Sequence, residues 1–131
     1  MLDTSICIEL LNGNEKVRQR CVDHNDECCI SPITAIELLY GAYNAPQQYQ
    51  DHEVEKAKLL IEHYPMFGID DGVEFFAKEK LRLASIGNSI EDFDLLIGAS
   101  AREMGLIIVT HNIRHFSRID GLQYEDWKAS I

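Results

Sequence analysis

The chain has 131 residues, a length that suits one domain and buries well over half of the surface exposed on unfolding. With 46% hydrophobic and 26% charged residues it lies in the ordinary globular range, and no apolar run approaches bilayer-spanning length, which excludes a transmembrane helix. A formal net charge of −10 excludes the broad basic footprint of a general nucleic-acid binder. It suits a carboxylate pocket around a divalent cation, or a basic protein partner, although a solvated acidic surface accounts for most of the excess.

The opening segment MLDTSICIELL lacks the basic n-region and small-residue cleavage site of a signal peptide, so a cytoplasmic location is expected. Leu2 closes a minimal first strand, Asp3 stands at its end, Thr4 and Ser5 follow, and Ile6, Ile8, Leu10 and Leu11 form a helical run. Cys7, Cys21, Cys28 and Cys29 show no C-x-x-C spacing. Cys28 and Cys29 are neighbours in an apolar run, which predicts opposite faces of a strand and free core thiols rather than a disulfide or zinc.

Residues 27–31, ECCIS, lead straight into Pro32, a favoured first helical residue. The pattern predicts strand, tight turn and a helix running to Tyr40 before Gly41. On that helix Ile33, Ile36, Glu37 and Tyr40 share a stripe, which sets the Glu37 carboxylate on the apolar face. Residues 51–64 carry Val54, Ala57, Ile61 and Tyr64 at helical spacing, and residues 71–84 carry Val73, Phe76, Ala77, Leu81 and Ala84 likewise. Between them residues 66–70, MFGID, suit a short strand.

In residues 90–101, IEDFDLLIGASA, Ser89 suits an N-cap and Asp92 completes a capping-box spacing. Asp92 is thereby read as structural, with an outer metal role as the alternative. Asp94, Ile97, Gly98 and Ala101 then share the core stripe, at a depth where Asp94 is too far along to cap free N–H groups. Gly105 ends the helix as a C′ glycine, and residues 106–110, LIIVT, read as a buried central parallel strand. Thr110 closes it, His111 and Asn112 follow, and residues 122–124 suit a late strand. Strands alternating with helices predict an α/β fold over residues 1–131, with a central parallel sheet flanked by helices.

Ligand sites of open parallel sheets lie beyond the carboxyl ends of the strands. Asp3, Glu37 and Asp94 approach that edge from three distant parts of the chain. Two unscreened carboxylates about 4 Å apart repel by roughly 4 kcal/mol at an effective dielectric near 20. No Lys or Arg lies on these stripes, so shared protons, a basic partner from elsewhere, or a hard cation must offset that repulsion. Oxygen-only ligands with waters are the Mg²⁺ or Mn²⁺ pattern, and such a cation supports phosphodiester hydrolysis.

The segments MLDTS, SPITAIELLYGA and IEDFDLLIGASAREMGLIIVTHNIRHFSRIDGLQYEDW resemble the PIN-domain endoribonucleases, specifically the VapC toxins of bacterial toxin–antitoxin pairs. The resemblance spans nearly the full length. It implies a PIN-like fold, Asp3, Glu37 and Asp94 as metal-binding acids, and Asn112 at the fourth position of the site. It also implies Mg²⁺-dependent RNA cleavage, often of structured RNA such as tRNA, a homodimer, and a cognate VapB-like antitoxin that inhibits by wrapping the site. Ser5 stands where the family commonly has Asn, and its hydroxyl can still bond a ligand carboxylate. Asp92 stands where related toxins often have Pro.

Plainer readings stand beside these. Asp94 and Glu37 suit buried acids bonded to backbone amides, Asn112 a bend after the strand, and Thr110 a bond to a site carboxylate or only to neighbouring backbone. His111 and His115 have the i, i+4 spacing of a zinc pair but no intervening HExxH Glu and no cysteine, which favours a surface pair near the groove. Lys78, Arg82 and Arg114 suit either RNA phosphates or a solvated face. Tyr40, Phe116 and Trp127 are assigned to core or dimer packing. The rival functions are a receiver domain, with Asp70 as acceptor but no Lys after the late strands, and a PIN domain that binds a partner without cleaving.

Overall fold

The computed structural model describes residues 1–129. In chain order the elements are α1 (Thr4–Leu11), α2 (Glu15–Asp23), α3 (Pro32–Tyr43), α4 (Gln47–His63), α5 (Val73–Ser85), α6 (Asp92–Glu103), β1 (Ile108–Val109), α7 (Ile113–Phe116) and β2 (Tyr124–Glu125). The sheet is narrow. β1 pairs in parallel with β2, and Leu2 bridges Val109 in parallel. Leu2 N–H donates to Cys29 O (2.8 Å), and Ile30 bridges Met66 in parallel. The segments at Met66, Ile30, Leu2, Val109 and Tyr124 therefore lie side by side in that order, with the first segment in the middle.

Residues adjacent in sequence feed opposite sides of this layer. Leu2, Cys28, Ile30 and Val109 pack with Ile6, Val17, Leu38 and Leu60, under α1 to α4. Met1, Cys29 and Ile108 pack with Leu83, Leu95, Ile97 and Phe116, under α5 to α7. The period of two along a strand accounts for this split, and it puts Cys28 and Cys29 on opposite faces as free buried thiols.

Helix ends follow their capping chemistry. Ser31 caps α3 by accepting from Ile33 N–H (3.1 Å), with Pro32 as its first residue. Asn14 caps α2 through Val17 N–H (3.1 Å). α6 ends in a Schellman pair, in which Gly105 N–H donates to Arg102 O and Leu106 N–H to Ala101 O. Gly105 sits there at φ 68°, a left-handed conformation that favours glycine.

Several sequence expectations need correction. α3 does not stop at Gly41 but runs on to Tyr43: Gly41 is not among the positive-φ glycines, an interior glycine costs a helix only about 1 kcal/mol, and Ala42 beyond it is buried. Ile36 and Tyr40 are exposed, Tyr40 at 72%, so the buried face of α3 is Ile33, Thr34, Ala35, Leu38 and Ala42. On α5 most of the expected stripe points outward: Val73 and Leu81 are exposed, and Ala77 and Ala84 with them, while Phe76 alone of that stripe packs against the core. Glu79 and Leu83 take the inner face instead. The late strand begins two residues later than expected, at Tyr124. Among the described residues no helix is long and apolar enough to cross a membrane.

Candidate active site

Asp3 begins the site where the first strand gives way to α1. It is both an acid at the strand end and the N-cap of α1, since Oδ1 accepts from Ile6 N–H (3.2 Å). Oδ1 also accepts from Ser5 Oγ (2.6 Å) and Oδ2 from Thr110 Oγ1 (2.6 Å). The side chain is only 3% exposed and none of its partners is cationic. Burial pushes its pKa above the ordinary 3.8; the hydroxyl and amide bonds oppose that, and the nearby Asp94 charge adds to it.

Glu37 projects from the second turn of α3, half-buried, and accepts from Thr4 Oγ1 (2.5 Å). Thr34 Oγ1 lies 3.3 Å from the same Thr4 hydroxyl. Burial raises the Glu37 pKa first, Thr4 pulls it down, and the Asp94, Asp3 and Glu91 charges push it up further.

Asp94 lies on α6 with its side chain 19% exposed. Its helix starts later than the sequence suggested. Glu91, not Ser89, is the N-cap, and Asp94 falls at the third helical position, inside the first turn where the helix dipole favours negative charge. Ser89 contributes only its carbonyl, to Arg118 Nη1 (2.9 Å). Asp94 Oδ2 meets His115 Nδ1 (2.8 Å) and Asn112 Nδ2 (3.3 Å). Asn112 N–H in turn donates to Thr110 Oγ1 (2.8 Å), so hydrogen bonds run without a break from Asp3 through Thr110 and Asn112 to Asp94.

Other sequence candidates lie elsewhere. The Asp92 carboxylate does not complete a capping box. It pairs with Lys80 Nζ (3.0 Å) on the exposed side of α5. Lys78 pairs with Glu74 (3.4 Å). Arg82 is committed to Glu79 through two bonds (2.6 and 2.8 Å) and to Arg118 O. Arg114 is exposed on α7, and among the described residues it has no ion pair. His111 and His115 turn to different acids, Asp126 (3.0 Å) and Asp94 (2.8 Å), so they form no zinc pair.

Thr4 and His115 belong to this site although the sequence reading gave them no role in it. Both had a signal: Thr4 follows the strand-end acid, and His115 lies three residues beyond Asn112, one turn on. Among the described residues no three His, Cys, Asp or Glu side chains are grouped tightly enough to enclose an ion. The donor set nevertheless suits a hard cation. It consists of carboxylates with no Lys or Arg paired to them among the described residues, and hydroxyls hold each of Asp3 and Glu37 while leaving carboxylate lone pairs over.

The chain has clear relatives. The PIN domain family model matches residues 1–122. A tRNA(fMet)-specific endonuclease VapC of Shigella flexneri is 35% identical over 129 residues, spanning 97% of this chain and 96% of the relative. Ribonuclease VapC1 of Haemophilus influenzae (strain R2866) is 30% identical over 131 residues, with 97% and 96% spanned. A crystal structure of DNA-bound VapBC from Salmonella typhimurium superposes with a TM-score of 0.90 at 31% identity, covering 97% of this chain and 96% of that one. The chain belongs to the PIN domain family, and within it to the VapC ribonucleases. Membership displaces the receiver-domain reading, and Asp70 lies in an exposed 3₁₀ turn.

Proposed function

We propose that this chain is a divalent-metal-dependent endoribonuclease that acts in the cytoplasm as a homodimer, with tRNA as the first substrate class to test, and is held inactive by a VapB-like antitoxin. The observation that carries the reading is that Asp3, Glu37 and Asp94 come from three separate elements into one network of hydroxyl and amide donors, with no Lys or Arg paired to them among the described residues. Asp3, Glu37 and Asp94 would hold the cation, Mg²⁺ or alternatively Mn²⁺, with Asn112 at the fourth position. When bound, such an ion polarises a phosphoryl oxygen and lowers the pKa of water.

The chain's own groups set the acids in place. Ser5 and Thr110 fix both oxygens of Asp3, and the α1 N-terminus anchors its carboxylate through Ile6 N–H. Thr4 holds one oxygen of Glu37 and leaves the other without a side-chain partner among the described residues. Asn112 ties the Asp94 end of the site to Thr110 at the end of β1.

Mapping RNA ends after brief expression, with and without the neighbouring gene, tests the whole reading. Discrete new ends in one RNA class, suppressed by a neighbouring antitoxin gene, are expected. Intact RNA from a folded, partner-binding protein would establish the non-cleaving alternative.

A further inference from the structure

Among the described residues His115 is the one whose imidazole bonds an acid of the site. It lies on α7, a single turn of helix whose next residue, Phe116, is completely buried. Phe116 packs where α6 has Gly98, and a methyl group there would come 3.3 Å from the Phe116 ring and 2.4 Å from Ile119 Cδ1. Gly98 is four residues beyond Asp94, on the same face of α6. The glycine therefore lets α7 settle against α6 one turn from the acid, and the buried ring keeps it there. This clamp brings the neighbouring imidazole to Asp94 Oδ2 at 2.8 Å, with the ring about one-third exposed.

The hydrogen on this contact follows from bonding chemistry. An ionised carboxylate only accepts, so the imidazole must present its N–H at Nδ1. Asn112 Nδ2 approaches the same oxygen at 3.3 Å, and with the proton on Nδ1 its 2.9 Å separation from the imidazole nitrogen is a contact between two donors rather than a hydrogen bond. Two donors thus converge on Oδ2, and Oδ1 has no side-chain partner among the described residues. We propose that His115 is a positioning residue of the acid site: its Nδ1–H fixes the Asp94 carboxylate so that Oδ1 faces the cation. Donors that orient a ligating carboxylate are worth about 10- to 100-fold in metal affinity. The proposal rests on the metal-site reading above.

The test measures Mn²⁺ binding by calorimetry to the full chain, in the absence of RNA, for wild type, His115→Asn and His115→Gln. An Asn amide reaches the place of Nδ1, whereas a Gln amide reaches the place of Nε2, and both are polar at a partly exposed position. We expect His115→Gln to weaken Mn²⁺ binding about tenfold and His115→Asn to stay within about threefold of wild type. Melting temperatures in EDTA should match wild type for both, which separates positioning from a role in folding. Equal affinity in all three proteins would overturn the proposal, as would equal loss in both variants. A wild-type chain that binds no Mn²⁺ would overturn the metal-site reading itself and this proposal with it.

Discussion

Two buried carboxylates in this molecule are equally hidden and chemically opposite. Asp3 and Glu79 are each 3% exposed. Glu79 lies between α5 and the segment before β2, accepting from the Arg82 guanidinium at 2.6 and 2.8 Å and from Asp120 N–H at 2.7 Å. Those bonds hold its pKa below the ordinary 4.5. Asp3 has hydroxyls and one amide for company, and burial lifts its pKa above 3.8. Burial alone therefore does not separate a structural acid from a functional one. The partner does: a carboxylate paired with Arg is complete, whereas acids crowded near other acids retain a demand for positive charge.

The contrast gives its largest expected effect in the acid site. Asp94→Asn and Asp3→Asn should each reduce single-turnover RNA cleavage at least about 100-fold, or about 2.7 kcal/mol of transition-state stabilisation. Urea melts in EDTA should show Asp94→Asn no less stable than wild type, because one of several repelling charges is removed, whereas Asp3→Asn also gives up one of the two acceptor oxygens that Ser5, Ile6 and Thr110 use and should lose part of that gain. A variant that folds less stably yet cuts at the wild-type rate per folded molecule would move its residue into the class of Glu79.

Glu79→Ala should do the reverse. It strands the part-buried Asp120 N–H and leaves the Arg82 guanidinium without its acid, and should destabilise the fold by roughly 1 to 3 kcal/mol, measured by urea melts. Cleavage per folded molecule should stay at the wild-type level.

The same contrast should be visible in pH. Asp3 binds its proton more tightly in the folded state, so its contribution to stability is fully present below about pH 3.8 and is lost as pH rises through the folded pKa. Glu79 binds its proton less tightly when folded, so its contribution is present above about 4.5 and is lost as pH falls. In metal-free urea melts the stability of Asp3→Asn relative to wild type should therefore rise with pH. The loss in Glu79→Gln should shrink as the solution is acidified below pH 4.5. Parallel pH profiles for the two variants would erase the distinction.

The smallest effect concerns RNA grip. Arg114 is exposed one residue from His115, while Arg82 and Lys78 already serve Glu79 and Glu74. Arg114→Gln should weaken RNA binding a few-fold and flatten its salt slope by about one phosphate contact. Lys78→Gln should change neither, as filter binding at several salt concentrations would reveal.

Much of the layout was legible because backbone chemistry writes it locally. Ser31-Pro32 marks a helix start, Gly105 a helix end, and the alternation at Cys28 and Cys29 a strand between two cores. The acids on α3 and α6 stood out against apolar neighbours. The reading failed where a polar residue took an inside place. On α5 the buried Glu79 is invisible to hydrophobic periodicity, so the stripe was drawn through Val73 and Leu81, which face out. α2 was missed for a different reason: only Val17 and Cys21 are buried on an otherwise polar helix, too few to draw a stripe. The start of α6 was misplaced because Ser89 fits a capping pattern whose side-chain bond does not form. His115 was read with His111 as a surface pair near the groove, because its partner, Asp94, is 21 residues away in sequence and the contact exists only once α7 packs on α6.

Asp3, Glu37 and Asp94, paired to no Lys or Arg among the described residues, are proposed to hold a divalent cation for RNA cleavage. The most direct test of that claim is cleavage of a defined tRNA by wild-type protein stripped with EDTA and then titrated with Mg²⁺ or Mn²⁺. The expected result is no cleavage in EDTA and full recovery on adding metal, with the melting temperature of the RNA-free protein rising with metal occupancy. Cleavage at the full rate in EDTA, with a melting temperature indifferent to millimolar metal, would contradict the claim.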